Sequence, residues 1–69
     1  MQRQTVQSSN VASVGYDAES KVLEVEFKGG GVYRYQGVPA ETWVGLVGAP
    51  SVGKYLGAHI KGVFLFERG

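Results

Sequence analysis

The sequence predicts an α+β domain: an antiparallel β-meander of three to four strands covered on one face by two short helices. Three observations carry that expectation. Residues 22–27 (Val22-Leu23-Glu24-Val25-Glu26-Phe27) alternate apolar and polar with a period of two, the mark of a half-buried strand. The triplet Gly29-Gly30-Gly31 then separates this run from the second strand-like run Val32-Tyr33-Arg34-Tyr35-Gln36, as in a β-hairpin. Past Pro39 the apolar spacing changes to that of helices, with a helix start at Pro39 and another at Ser51.

Residues 1–7 are polar apart from Met1 and Val6 and read as a flexible N-terminal arm or an edge extension; residues 8–69 form the domain. Val11, Val14 and Tyr16 begin the strand-like sequence, and Asp17-Ala18-Glu19-Ser20 reads as a four-residue turn. That turn sets Val14 opposite Leu23 and Ala12 opposite Val25. In the hairpin, a three-residue loop needs a positive φ near its end, which glycine adopts without steric cost. Taking residues 29–31 as the loop sets Phe27 opposite Tyr33, Glu26 opposite Arg34 and Val25 opposite Tyr35. Tyr33 and Tyr35 then share the apolar face with Leu23, Val25 and Phe27, whereas a slip of one residue would turn Arg34 onto that face.

The cover for this face lies in the second half. Pro39 opens a helix with Glu41 in its positive first turn, and Trp43, Leu46 and Val47 share one of its faces. Gly48-Ala49-Pro50 stops it, and Ser51 caps a second helix. There Val52, Leu56 and Ile60 form an apolar stripe flanked by Tyr55 and His59, beside a solvent-facing stripe of Lys54, Ala58 and Lys61. After Gly62, Val63-Phe64-Leu65-Phe66 reads as a final short strand, with continued helix as the alternative.

With 69 residues and 43% apolar content the chain has room for one core and no second domain, with a stability of about 3–5 kcal/mol. There is no cysteine, so neither a disulfide nor thiolate-bound zinc reinforces the fold. The formal charge of +1 is too small to imply nucleic acid through bulk electrostatics. No apolar run approaches the roughly 20 residues of a membrane span, and the N-terminus lacks a signal peptide's apolar segment. The expectation is a cytoplasmic protein with no membrane partner; its oligomeric state is left open.

In order along the chain, Val14-Gly15-Tyr16-Asp17, Leu23-Glu24-Val25-Glu26-Phe27, Tyr33-Arg34-Tyr35, Val38-Pro39, Ala49-Pro50-Ser51-Val52-Gly53-Lys54-Tyr55 and Ile60-Lys61 together resemble the KTSC domain. The resemblance runs from about Ser8 to Phe66, and the central Tyr-x-Tyr is that family's most characteristic feature. The family takes its name from the C-terminus of some lysyl-tRNA synthetases and also occurs as free-standing bacterial and phage proteins. That association implies RNA as a partner. The chain departs from the family pattern at Leu56-Gly57, where relatives often carry an aromatic residue and an asparagine.

Several spacings look catalytic and are not read so. Gly48 to Lys54 has the spacing of a phosphate-binding loop, but Tyr55 stands where Ser or Thr would bind magnesium, and no parallel strand precedes it. Ser51 and Lys54 match a Ser-x-x-Lys pair without the further motifs that chemistry needs. His59 is the one histidine and has no partner for a metal or a base. No enzyme, cofactor or metal is expected. The expected function is a non-enzymatic recognition module for RNA or single-stranded nucleic acid, acting through a modest basic helix surface. Lys54, Lys61, Arg68 and Arg3 are the candidate phosphate contacts and Tyr55 the candidate stacking ring. Tyr33, Arg34 and Tyr35 are assigned to the scaffold, the tyrosine rings packing under the helices. The alternative is a protein–protein interaction module, an adaptor or phage accessory protein that uses an exposed strand edge at 8–16 or 63–67.

Overall fold

A computed structural model describes residues 3–69. The elements run β1 (Arg3–Thr5), β2 (Val11–Asp17), β3 (Val22–Phe27), β4 (Val32–Tyr35), α1 (Ala40–Val47), α2 (Val52–His59) and β5 (Phe66–Arg68). The strands form one antiparallel sheet in the order β1-β2-β3-β4-β5. The class is α+β, as expected, with five strands rather than three or four.

The additional strand comes from the N-terminal segment, and the expected final strand lies further along the chain. Residues 3–5 of the expected arm pair with β2, Arg3 opposite Gly15 and Thr5 opposite Ser13; residues 1 and 2 lie outside the described residues. Because β1 covers β2, the segment 8–16 is not a free edge. At the other end the strand is 66–68, not 63–66: Phe66 opposes Tyr35, Glu67 opposes Arg34 and Arg68 opposes Tyr33. Residues 61–64 instead turn the chain away from α2.

Both hairpins keep the expected facing but shift by two residues. In the second, Leu23 opposes Tyr35, Glu24 opposes Arg34 and Val25 opposes Tyr33. The three-residue loop is residues 28–30, closed by Phe27 N–H donating to the Gly31 carbonyl at 3.1 Å and Gly30 N–H to the Phe27 carbonyl at 3.0 Å. Because Glu26 opposes Val32, Lys28 rather than Gly31 belongs to the loop, and the positive φ values fall at its end, on Gly30 (105°) and the adjoining Gly31 (92°). In the first hairpin Asp17 stays in β2, opposite Val22. Its carboxylate accepts the N–H groups of Glu19 (3.0 Å) and Ser20 (3.4 Å), which folds the turn over 18–21. Val14 therefore opposes Val25 and Tyr16 opposes Leu23. A bulge between Val11 and Ser13 breaks the alternation, so Val11 enters the core in the role expected of Ala12.

The core lies between one sheet face and the helices: Val11, Val14, Leu23, Val25 and Tyr35 from the sheet, Val38 and Leu46 from the first crossover segment, and Val52, Leu56 and Ile60 from the second. The stripe on α2 is as the spacing predicts. Ser51 caps it, its hydroxyl accepting Lys54 N–H at 3.3 Å. Helix α1 is tied to the sheet by Tyr16, whose ring stacks on Trp43 at 5.6 Å and 11° and whose hydroxyl donates to the Val38 carbonyl at 2.6 Å.

The opposite face carries a cross-strand row Arg3–Gly15–Glu24–Arg34–Glu67. Glu24 is buried at 9% exposure although no helix covers it. Arg3 Nε donates to one of its oxygens at 2.6 Å and Arg34 Nε to the other at 2.9 Å. Burial alone would raise the Glu24 pKa, but the hydrogen bonds and charges of Arg3 and Arg34 together hold it below the usual carboxylate range.

Candidate functional site

The two tyrosines of β4 point to the same face yet have different surroundings. Tyr35, opposite Leu23 and under the helices, is 2% exposed. Burial, and then the neighbouring Tyr33, push its phenol above the ordinary range. Tyr33 lies one pair nearer the glycine hairpin, opposite Val25, and is only half-buried. The expectation that both rings are packed under helices holds for Tyr35 and only in part for Tyr33.

Around Tyr33 the fold gathers an aromatic cluster. Phe27 meets it edge-on at 5.2 Å and 82°. Phe66 stacks on it at 5.1 Å and 30° and leans on Tyr35 at 5.6 Å; the residue remains 54% exposed. Two cations complete the cluster. Lys61 Nζ lies 5.2 Å from the centre of the Phe27 ring, and the Arg68 guanidinium 5.6 Å from that of Tyr33.

Local backbone places both charges. At the end of α2, Ile60 N–H and Lys61 N–H both donate to the Leu56 carbonyl, at 3.0 and 2.9 Å. Gly62, at φ 78°, then turns the chain, which leaves Lys61 over the mouth of the cluster. Arg68 passes over Gly31, where a Cβ would come within 3.4 Å of two guanidinium nitrogens. The result is a cleft of about 190 Å³ lined by Phe27, Gly30, Tyr33, Tyr35 and Lys61, with no acidic residue in its lining.

The residues expected to bind nucleic acid therefore fall into three places. Lys61 lines this cleft, and Arg68 lies over the ring of Tyr33, one of its lining residues. Lys54 and Tyr55 line a separate depression of about 340 Å³ together with Pro50, Ser51 and His59. There the Tyr55 ring sits 4.4 Å from His59 and closes on Gly45 of α1, where an added Cβ would lie 2.9 Å from its Cζ. Tyr55 is thus a contact between the helices. Arg3 lies on the outer sheet face, engaged by Glu24 and, at 3.5 Å, by Glu26. Arg34 is on that face too, paired with Glu24 in place of the expected Glu26. Leu56, at the position where the chain departs from the family pattern, is a core residue at 1% exposure. Among the described residues no group of three His, Cys, Asp or Glu side chains could hold a metal, and no helix is long and apolar enough to cross a membrane.

Phe27, in the cleft lining, and Phe66, stacked on Tyr33, are not among the binding residues expected from the sequence: alternation assigns Phe27 to the core face, and the apolar run sets Phe66 at the end of a strand, whereas it begins β5. The available signal was the alternation Phe66-Glu67-Arg68, which offers Glu67 to Arg34 and Arg68 to the opposite face.

Comparison with known proteins agrees with this architecture. The model of the KTSC domain family matches residues 7–64. The chain belongs to that family. A crystal structure of a KTSC domain protein from Yersinia pestis superposes with a TM-score of 0.96 at 40% identity, covering 99% of this chain and 96% of that one. An uncharacterised protein of Stutzerimonas stutzeri is 44% identical over 61 residues, 88% of this chain and 86% of its own length. A lysine–tRNA ligase of Nostoc punctiforme is 36% identical over 62 residues, 90% of this KTSC domain but 11% of the ligase.

Proposed function

We propose that this KTSC domain is a non-enzymatic recognition module that binds RNA, or single-stranded nucleic acid more broadly, through the cleft lined by Phe27, Tyr33 and Lys61. The observation that carries the reading is a cleft in which aromatic rings meet Lys61, with Arg68 lying over the ring of Tyr33. Unpaired bases stack on exposed aromatic side chains, and flanking cations take the phosphates. The overall charge of +1 is no obstacle, because Lys61 lines the cleft and Arg68 lies over Tyr33, while Arg3 and Arg34 are neutralised by Glu24 on the other face. The occurrence of a similar segment within lysine–tRNA ligases adds support of a different kind. This moves the expected surface from the Lys54 face of α2 to the end of the sheet.

A residue-by-residue NMR titration with single-stranded RNA at two salt concentrations tests it. Shifts should concentrate at Phe27, Tyr33, Lys61, Phe66 and Arg68 and shrink as salt rises. Unchanged spectra at low salt would sink the reading.

One observation favours the protein-interaction alternative. Next to the edge strand β5, Val63 and Leu65 are 62% and 81% exposed, and an edge strand with apolar neighbours can pair with another chain. A protein partner that survives nuclease treatment, and is lost in Leu65→Ser, would support that reading over nucleic acid.

A further inference from the structure

We infer that Tyr35 is a binding residue and not only scaffold: its hydroxyl donates a hydrogen bond to the same phosphate of the bound strand that Lys61 attracts. The inference rests on the nucleic-acid reading above and deepens it, naming the group of the strand that enters the cleft and the two side chains that hold it.

One hydroxyl of the core has no partner in the fold. Tyr35 is 2% exposed, and a tyrosine so deeply buried ordinarily gives its hydroxyl a hydrogen-bond partner. Tyr16 does so, donating to the Val38 carbonyl at 2.6 Å. Among the described residues nothing hydrogen-bonds the Tyr35 hydroxyl, although every described side-chain nitrogen or oxygen sealed from solvent has a partner. The Tyr35 hydroxyl is therefore not sealed: it lies in the small part of the residue that solvent still reaches. Tyr35 lines the cleft with Phe27, Gly30, Tyr33 and Lys61, so that is where the hydroxyl opens.

The chemistry of the lining selects the group that enters. Lys61 has three N–H donors and no acceptor, and Tyr35 offers one O–H; the lining holds no carboxylate to answer either. Burial, and then the neighbouring Tyr33, push the Tyr35 phenol above its ordinary range, so the proton stays on the oxygen at neutral pH and is there to be donated. A group that meets both donors in a cleft of about 190 Å³ is small and rich in acceptor oxygens. In a single strand of RNA the phosphate is that group, and it brings the negative charge that Lys61 calls for. Between the rings of Phe27 and Tyr33, a hydrogen bond to a charged oxygen is stronger than in open water.

The test is a double-mutant cycle on Tyr35→Phe and Lys61→Gln. It is read by fluorescence anisotropy with one short single-stranded RNA across a salt series, and by urea denaturation of each protein. Tyr35→Phe removes the hydroxyl and keeps the ring, so its urea midpoint should match the parent's. Tyr16→Phe, which loses a bond made within the fold, should lower the midpoint. Tyr35→Phe should weaken binding about tenfold or more, the scale of a hydrogen bond to a charged group. It should leave the slope of log affinity against log salt unchanged, because no charge is lost, whereas Lys61→Gln should flatten that slope by about 0.7. The two substitutions together should cost clearly less than the product of their separate losses, because both act on one phosphate. Tyr35→Phe binding as the parent does, a midpoint lowered as far as in Tyr16→Phe, or losses that multiply independently would overturn the inference and leave the nucleic-acid reading standing. Failure of the parent to bind at the lowest salt overturns that reading and this inference with it.

Discussion

Replacing Leu23 with alanine should unfold a large fraction of the protein at room temperature. Leu23 is fully buried on the core face, between Tyr16 and Tyr35 on the neighbouring strands. Its truncation removes apolar contact from three strands at once and leaves a cavity that paired strands cannot readily close. Leu→Ala changes at such positions cost about 2–5 kcal/mol, against a total of about 3–5 kcal/mol for a domain of this size. Urea denaturation followed by Trp43, the one tryptophan, should show the midpoint falling toward zero denaturant with little change in slope. Val44→Ala on the exposed side of α1 (64% exposed) should stay within about 0.5 kcal/mol of the parent. A loss below about 1 kcal/mol for Leu23→Ala would mean that this sheet face is not the core.

The second large effect is electrostatic. Glu24 is 9% exposed with both arginines in place, and their removal, as Arg3→Met with Arg34→Met, leaves its carboxylate with no cation bonded to it. Leaving such a group unpaired on the outer face of the sheet costs about 1–3 kcal/mol. The pH dependence should reverse as well. In the parent, Glu24 titrates below its ordinary value of 4.5, so its contribution is fully present above that value and is lost as pH falls through the lower folded-state pKa. In the double variant burial acts unopposed and raises the folded-state pKa, so the penalty is greatest at neutral pH and relaxes as the carboxyl takes up its proton. Urea melts at neutral pH and near about pH 3 should therefore converge for the two proteins in acid. Adding Glu24→Gln to the double variant should recover most of the loss at neutral pH. A constant difference across pH would contradict this account of Glu24.

The sequence made the facing of the strands readable because a one-residue slip reverses every side chain. It did not make the register readable, because a two-residue slip keeps every residue on its face. Glu24 and Glu26 lie on the same side of β3, so either could meet Arg34, and alternation had no means of choosing. The choice was made by local turn chemistry: the Asp17 carboxylate folding back onto Glu19 and Ser20, and the positive φ at Gly30 as well as Gly31. Capping was easier, since Ser51 and the spacing of Val52, Leu56 and Ile60 act within a few residues of each other. The cleft was the hardest part to see. It joins Phe27, Tyr33 and Tyr35 of β3 and β4 to Lys61 in the turn after α2, with Phe66 and Arg68 of β5 against Tyr33, and no local pattern announces the pairing of β5 with β4 across both helices. Lys54 and Lys61, seven residues apart, share a stripe only on an unbroken helix. The helix ends at His59, and Gly62 carries the chain off in another direction.

The central claim is that recognition belongs to the cleft and not to the exposed face of α2, and the affinities of Lys61→Gln and Lys54→Gln for one short single-stranded RNA compare the two directly. The account predicts a loss of about tenfold or more at low salt for Lys61→Gln, the scale of one charge-assisted contact, and an affinity within about twofold of the parent for Lys54→Gln. The reverse order, with Lys54→Gln impaired and Lys61→Gln binding as the parent does, would contradict it.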